Sequence, residues 1–256
     1  MKKLFALICI VIFQIGYSCS CESSTNIFNE YSSSDLVADI TVTNVRFSPE
    51  KELQQAYYVI DVKYNKLYKG KQIGSFHVYG KTIINGKQNG IGTSCSLSLS
   101  KGDRMILFYK NDEINSIHFC TPKIREKITS RFTESKKILE KISKTSIKTN
   151  YKNFIIDTKY DSETGKNTLS HFDGINAKNS FALFEVTMNT NGTFKTVDYL
   201  QKFNSQFDEE ILEYLQKSNL LKEENFEISQ DEKFILAMHY YKSEKKNKSF
   251  ISFYFL

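Results

Sequence analysis

The amino-acid sequence predicts an all-β Greek-key barrel followed by a helix and a small α+β domain. Three observations carry this reading. Between Leu36 and Phe119, short runs of alternating apolar and polar residues are separated by glycines. From residue 122 the alternation gives way to apolar residues at helical spacing on a lysine-rich background. After residue 150 a hairpin signal, a helix signal and two further apolar runs follow in turn.

The first strand opens at Leu36, Ile40 and Val42 and ends near Phe47. Tyr57 to Tyr68 is the second, and Phe76 to Ile84 the third, closed by the turn Asn85-Gly86. Met105 to Tyr109 is the fourth and Ile117 to Phe119 a short fifth, while Gly70, Gly74, Gly86, Gly90, Gly92 and Gly102 punctuate the gaps. Five short strands in about 100 residues suit an OB-like barrel; a β-sandwich fragment is the structural alternative. Thr121 can cap the helix and Pro122 fits its first turn. Ile124, Ile128, Phe132, Ile138, Leu139 and Ile142 then recur on one face, opposite Lys127, Arg131, Lys137, Lys141 and Lys144. Such a basic face is either a solvated surface behind a packed apolar stripe or a weak contact for anionic lipid or acidic partners. In the last part, Ala182 to Met188 and Phe194 to Leu200 flank Asn191-Gly192 as a hairpin. Phe207, Ile211, Leu212 and Leu215 mark a helix, whose opening acidic run Asp208-Glu209-Glu210 suits the positive end of its dipole. Phe234 to Tyr241 and Phe250 to Phe255 close the chain as strands, and the polar stretch 157–176 is a loop.

The chain has 256 residues, enough for one or two domains, and its 40% hydrophobic content argues for packed cores against disorder. Its one long apolar run is N-terminal, which excludes a polytopic membrane protein. Lys2 and Lys3 precede the run Leu4 to Phe13, and Gly16-Tyr17-Ser18 leads into Cys19. This is the three-part pattern of a secretory signal peptide over residues 1–18, with the mature chain starting at Cys19. The alternative is an uncleaved anchor, for which the run is short of the ~20 residues a span needs. The protein is therefore expected to be exported: secreted, periplasmic or associated with the cell envelope. Cys9 leaves with the leader, and the remaining Cys19, Cys21, Cys95 and Cys120 read as two disulfides. Three pairings are open from the sequence. Zinc is the competing reading, but Cys19 and Cys21 are too close for a zinc knuckle and only the isolated His118 stands beside Cys120.

Charge divides the mature chain into residues 19–121 with 11 basic and 10 acidic groups, 122–149 with 9 and 3, and 150–256 with 13 and 16. The excess positive charge is thus confined to one short middle segment, which argues against nucleic-acid binding. His77, His118, His171 and His239 are far apart, and no zinc-protease, nucleophile-elbow or phosphate-loop pattern is present. His171 near Asp173 is the one local hint of catalysis. The expectation is a protein without enzymatic activity, cofactor or intrinsic metal, acting on a protein partner.

A mature N-terminus of Cys19-Ser20-Cys21 is unusual, and the downstream pattern extends it. Ser34-Asp35-Leu36-Val37, Leu67-Tyr68-Lys69-Gly70, Thr93-Ser94-Cys95, Leu99-Ser100-Lys101-Gly102-Asp103-Arg104 and Phe119-Cys120 follow in order. Over residues 19–121 this resembles the netrin-like domain, and specifically the N-terminal domain of the tissue inhibitors of metalloproteinases. The resemblance implies an OB-like barrel with Cys19 paired to Cys95 and Cys21 to Cys120. It implies that the α-amine and carbonyl oxygen of Cys19 chelate a partner protease's zinc and displace the water at its open position. Ser20 would then enter the first primed-side pocket, and Ser94 with Cys95 would form a neighbouring ridge. The chain departs from the family in lacking a third disulfide, whose first partner would fall near Ser32, and in lacking cysteines after residue 120. Lipidation of Cys19 competes for the same atoms, since acylation blocks the amine. It would tether the protein to a membrane, but Gly16-Tyr17-Ser18 lacks the aliphatic residue such signals carry. The alternative function is an envelope or surface interaction module with purely structural disulfides. Residues 170–256, with Ala182 to Thr187, Asn191-Gly192, Val197 and Phe207 to Ile211, look like the hairpin-helix-strand unit of TonB C-terminal domains. Residues 122–149 are the linker between the two domains, and 150–256 the second domain.

Overall fold

A computed structural model of the chain describes residue 21 and residues 27–145, 155–156, 160–161, 166–218, 220–221, 229–243 and 248–253. It is mostly β. The leader, Cys19 and Ser20 lie outside the described residues. The chain divides into two compact units, one of Met1–Ser23 with Asp35–Phe132, the other of Ser24–Ser34 with Thr133–Leu256.

In the first unit the described strands are β1 (Leu36–Phe47), β2 (Tyr57–Lys69), β3 (Ser75–Tyr79), β4 (Lys81–Ile84), β5 (Lys87–Gly90), β6 (Arg104–Tyr109), β7 (Ser116–Ile117) and β8 (Lys123–Arg125). Six of them form one sheet in the order β7-β3-β2-β1-β6-β8, curled into a half-barrel. All neighbours are antiparallel except β3 and β7, which pair in parallel through His77 with Ser116 and Val78 with Ile117. The core follows from period-2 alternation. Leu36, Ala38, Ile40 and Val42 of β1 point inward with Tyr58 and Ile60 of β2, Phe76 and Val78 of β3, and Met105, Leu107 and Tyr109 of β6. Leu97 and Leu99, from an irregular segment, complete this cluster.

The expected third strand, Phe76 to Ile84, is broken in two at Gly80. There a side chain would place its Cβ 2.2 Å from the Leu97 carbonyl oxygen, so only glycine admits the passing segment. β4 and β5 then form a separate hairpin over Asn85-Gly86, whose positive φ angles of 50° and 75° match a two-residue hairpin turn. A larger correction concerns the start of the helix. Thr121 and Pro122 do not open it; the helix runs over Thr129–Ile142 (termed α2 below). Lys123, Ile124 and Arg125 instead pair with Leu107, Ile106 and Met105 as β8. The free edge of β6 needs backbone partners, and the Pro122 carbonyl likewise accepts from Phe108 N–H at 3.0 Å. Ile128, expected in the apolar stripe, is 54% exposed because it precedes the helix. Phe132, Ile138, Leu139 and Ile142 are buried as expected.

The second unit holds α1 (Ile27–Ser33), α2 from Thr133 onward, and α3 (Asp208–Gln216). Its main sheet has β9 (Phe181–Met188), β10 (Phe194–Gln201), β11 (Lys233–Tyr241) and β12 (Phe250–Ser252) in the antiparallel order β10-β9-β11-β12. The hairpin, the helix and the strand at Phe234–Tyr241 fall where the alternation and the Asn191-Gly192 turn place them; the last strand opens at Phe250 as expected but ends at Ser252, and residues 254 and 255 of the expected strand lie outside the described residues. Seven of the eight residues of β9 are buried, so this strand is covered on both faces. Asp208 does more than complement the helix dipole. It is buried, and its carboxylate accepts the backbone N–H groups of Asn204 and Ser205 at 3.0 and 3.2 Å and the Ser205 hydroxyl at 2.8 Å. The stretch expected as loop contains a short antiparallel pair, Tyr160–Asp161 with Lys166–Asn167, and a 3₁₀ turn over Thr168–Phe172 that buries Leu169 and Phe172.

Candidate functional site

Cys21 is bonded to Cys120, with the Cα atoms 5.1 Å apart across a sequence separation of 99 residues. This ties the N-terminal segment to the loop between β7 and β8. Cys95 is also disulfide-bonded; its expected partner, Cys19, lies outside the described residues, as does Ser20. Among the described residues the candidate site comprises Cys21, Ser94, Cys95 and Cys120 and the loops that carry them.

The loop around Cys95 is a tight hydroxyl-bonded turn. Ser96 Oγ accepts Thr93 N–H at 2.6 Å and donates to the Ile91 carbonyl at 2.8 Å, while Thr93 Oγ1 accepts Cys95 N–H at 3.2 Å. Ser94 is exposed and Cys95 half-buried. The polar clustering Thr93-Ser94-Cys95-Ser96 thus has a mechanical meaning: the side chains substitute for a ladder that the backbone cannot make here. Behind it, the fully buried Tyr58 donates to the Leu97 carbonyl at 3.1 Å and accepts from Leu99 N–H at 2.8 Å. Burial pushes the Tyr58 phenol up to about 12. Arg125 Nη2 adds a bond to the Ser98 carbonyl at 3.0 Å. Segment 97–99 is held to the half-barrel by these two side chains, which the sequence alone does not single out.

The loop around Cys120 is closed by Lys123. Its Nζ donates to the carbonyls of Phe119, Thr121 and His118 at 2.6, 2.8 and 3.2 Å. Burial first, and then the charge on Arg125, lower the Lys123 ammonium from its ordinary 10.5 to about 8. His118 Nδ1 accepts Cys120 N–H at 3.2 Å, and Thr121 Oγ1 accepts His118 N–H at 2.9 Å. Burial, then the Lys123 charge, hold His118 below the usual imidazole range. A neutral His118 suits its role as acceptor for the Cys120 amide. Phe119, one residue from the disulfide, is 48% exposed, and Ile91 and Ile83 of the same unit are 41% and 69% exposed.

The remaining histidines are dispersed. His77 bonds the Ile114 carbonyl through Nδ1 at 2.7 Å, and its Nε2 faces Glu50 at 3.2 Å and Ser48 at 3.3 Å. Serine and carboxylate share one ring nitrogen, so this is not the relay of a nucleophilic triad, in which they flank opposite nitrogens. His171 pairs with Glu210 at 3.1 Å rather than with Asp173, and His239, 4% exposed, pairs with Glu134 at 3.1 Å. Among the described residues no group of three or more His, Cys, Asp or Glu is placed to hold a metal ion. No helix among them is long and apolar enough to cross a membrane.

Two motifs that are distant in the sequence meet at the base of the unit. A Cβ on Gly70 would lie 2.1 Å from the Asp35 carbonyl oxygen, so the Leu67-Tyr68-Lys69-Gly70 and Ser34-Asp35-Leu36-Val37 segments are in backbone contact. No protein-family model matches the chain, and a search of curated proteins finds none similar to it. The class defined by the structure is a β-rich protein with a disulfide-clamped N-terminal segment. A disulfide points to an oxidising compartment.

Proposed function

We propose that this is an exported protein-binding protein of the netrin-like type, and that its N-terminal edge inhibits a zinc metalloprotease. The observation that carries the reading is the Cys21–Cys120 bond, which anchors the third residue of the proposed mature chain to a braced loop. Strand pairing supports the OB-like half of the reading: β1 runs antiparallel between β2 and β6, and β3 pairs in parallel with β7. With Cys19 as the new terminus, its nitrogen becomes an α-amine, a group whose ordinary pKa is about 8, so a useful fraction is neutral and free to ligate zinc. Disulfide anchoring lowers the ordering cost of presenting that ligand. Ser20 then enters the partner's pocket, and Ser94 with Cys95 contacts its rim. The hairpin-helix-strand order of the second unit supports a TonB C-terminal-like assignment for it.

The test is an inhibition panel of secreted zinc metalloproteases, with the exported protein purified without added residues. Ser20→Arg, and separately an extra alanine ahead of Cys19, are expected to abolish inhibition while the thermal unfolding midpoint stays within a degree or two. Inhibition that survives in both variants contradicts chelation. No inhibition by the wild type, with a protein partner captured equally by both variants, favours the envelope interaction module, for which exposed Phe119, Ile91 and Ile83 supply apolar contacts.

A further inference from the structure

The lysines of α2 have a destination that their helical spacing alone does not reveal. Lys137, Lys141 and Lys144 recur on one side of the helix and its end, and there they line an open cleft of about 520 Å³ within the second unit. Lys178, just before β9, and Lys242, just after β11, line the same cleft, with Glu140 the one acidic residue among its walls. Among the described residues none of these five ammonium groups has a carboxylate within 4.0 Å. Elsewhere in this unit lysines do find carboxylates: Lys195 with Asp231 at 2.6 Å, Lys202 with Glu209 at 2.9 Å, and Lys233 with Glu185 at 2.6 Å. Acidic groups are in excess over residues 150–256, so cleft lysines with no carboxylate among the described residues do not reflect a scarcity of acidic residues in the sequence.

The rest of the lining is suited to an acceptor-rich ligand. Ser180 and Tyr240 both line the cleft, and their hydroxyls have no partner among the described residues. Phe181 and Ala177 provide an apolar wall. Like charges gathered around a concavity raise the local concentration of a counter-ion of opposite sign. The cleft's size lies within the range of small-molecule sites. Its cations are all lysines, which act as point charges on phosphate oxygens; a planar carboxylate is better matched by the arginine fork, which is missing from the lining. A singly charged anion would neutralise only one of five ammonium groups.

We propose that this cleft binds a small anion carrying two or more phosphate groups, held by Lys137, Lys141, Lys144, Lys178 and Lys242 with the hydroxyls of Ser180 and Tyr240. The same phosphate chemistry is offered by free polyphosphorylated solutes and by anionic lipid headgroups; a cleft with cations on several walls, rather than one flat basic face, favours the free solute.

Calorimetric titration of the full exported chain with inorganic tripolyphosphate at low salt tests this. Saturable binding is expected, weakening steeply with added salt. Lys141→Ser combined with Lys178→Ser should weaken it at least about tenfold, taking two charge contacts at the few-fold level each. Lys195→Ser combined with Lys217→Ser removes the same charge from elsewhere on the unit and should change it less than about twofold. These lysines are exposed, so unfolding midpoints should not move in either double variant. Equal weakening in both pairs means general charge attraction and overturns the site. Failure of the wild type to bind tripolyphosphate overturns it too, as does retention by phosphatidylglycerol vesicles, lost in the cleft variant, without any tripolyphosphate binding. None of these results depends on the protease assay, so the two proposals fail separately.

Discussion

Lys123 shows how one side chain can organise a functional edge without announcing itself in the sequence. It falls just after the helix opening that Thr121-Pro122 predicts, yet it sits on a strand and closes the Phe119-Cys120 loop through three carbonyls. Its folded pKa of about 8 lies below the ordinary 10.5, so between those values the unfolded chain holds more protons than the folded one. Stability must then rise as pH increases from 8 toward 10, by an amount on the order of 1–2 kcal/mol after allowance for partial exposure. Urea midpoints measured across this window should climb in the wild type and stay flat in Lys123→Met; a flat wild-type profile would count against the buried ammonium. Glycine positions give a second residue-scale test. At Gly90, with φ of 77°, an added Cβ would lie 1.8 Å from the Gly80 carbonyl oxygen, whereas at Gly86, with φ of 75°, it meets nothing within 4 Å. Gly86→Ala should cost about 1 kcal/mol of backbone strain, and Gly90→Ala at least ~1 kcal/mol more. Equal losses by chemical denaturation would show that the close approach at Gly90 is not rigid.

At the scale of elements, what was legible in the sequence was what local periodicity encodes. The strands opening at Leu36, Tyr57 and Phe194, the strand expected from Ala182 and found from Phe181, and the helix at Asp208 follow from alternation, turn residues and the acidic opening. The start of α2 did not follow, because Thr121-Pro122 is a good helix opening locally and is overridden by the need of β6 for edge partners. The break at Gly80 was hidden for a similar reason: its cause is the Leu97 carbonyl, 17 residues further along the chain. Asp39 is the strongest such case. It lies on β1 among buried aliphatic residues, is itself fully buried, and accepts Arg104 Nε and Nη2 at 2.9 and 2.8 Å and Asn65 Nδ2 at 3.1 Å. Arg104 then bridges to Glu126 at 3.0 Å and lies 5.4 Å over the Phe132 ring. This network joins β1, β2, β6 and the residues after β8. Removing the carboxylate strands a partly buried guanidinium, so Asp39→Ala should destabilise the unit by about 3 kcal/mol in urea unfolding. A loss below about 1 kcal/mol would mean that water replaces the carboxylate freely.

For the molecule as a whole, the candidate edge was legible only as a set of cysteines and hydroxyl residues. Their spacing left three pairings open, and the structure supplies one bond, Cys21–Cys120. Closing a loop of 99 residues is worth at most about 5 kcal/mol in the chain-entropy model. That is comparable to the stability of a small domain, so the clamp supports the half-barrel as well as the edge. The braces behind the edge, Tyr58, Arg125, His118 and Lys123, come from separate strands and loops, which is why no local motif contains them. The polyanion cleft is assembled in the same way, from a helix and two strand ends.

The proposed inhibitory edge requires that residue 19 become the first residue of the exported protein and be held to the half-barrel by sulfur. Peptide mapping of the exported protein without reduction, combined with N-terminal sequencing, tests it directly. An unblocked Cys19 amine, a Cys19 peptide linked to Cys95 and a Cys21 peptide linked to Cys120 are expected. A diacylglycerol adduct on Cys19, or free thiols at Cys95 and Cys120, would contradict it.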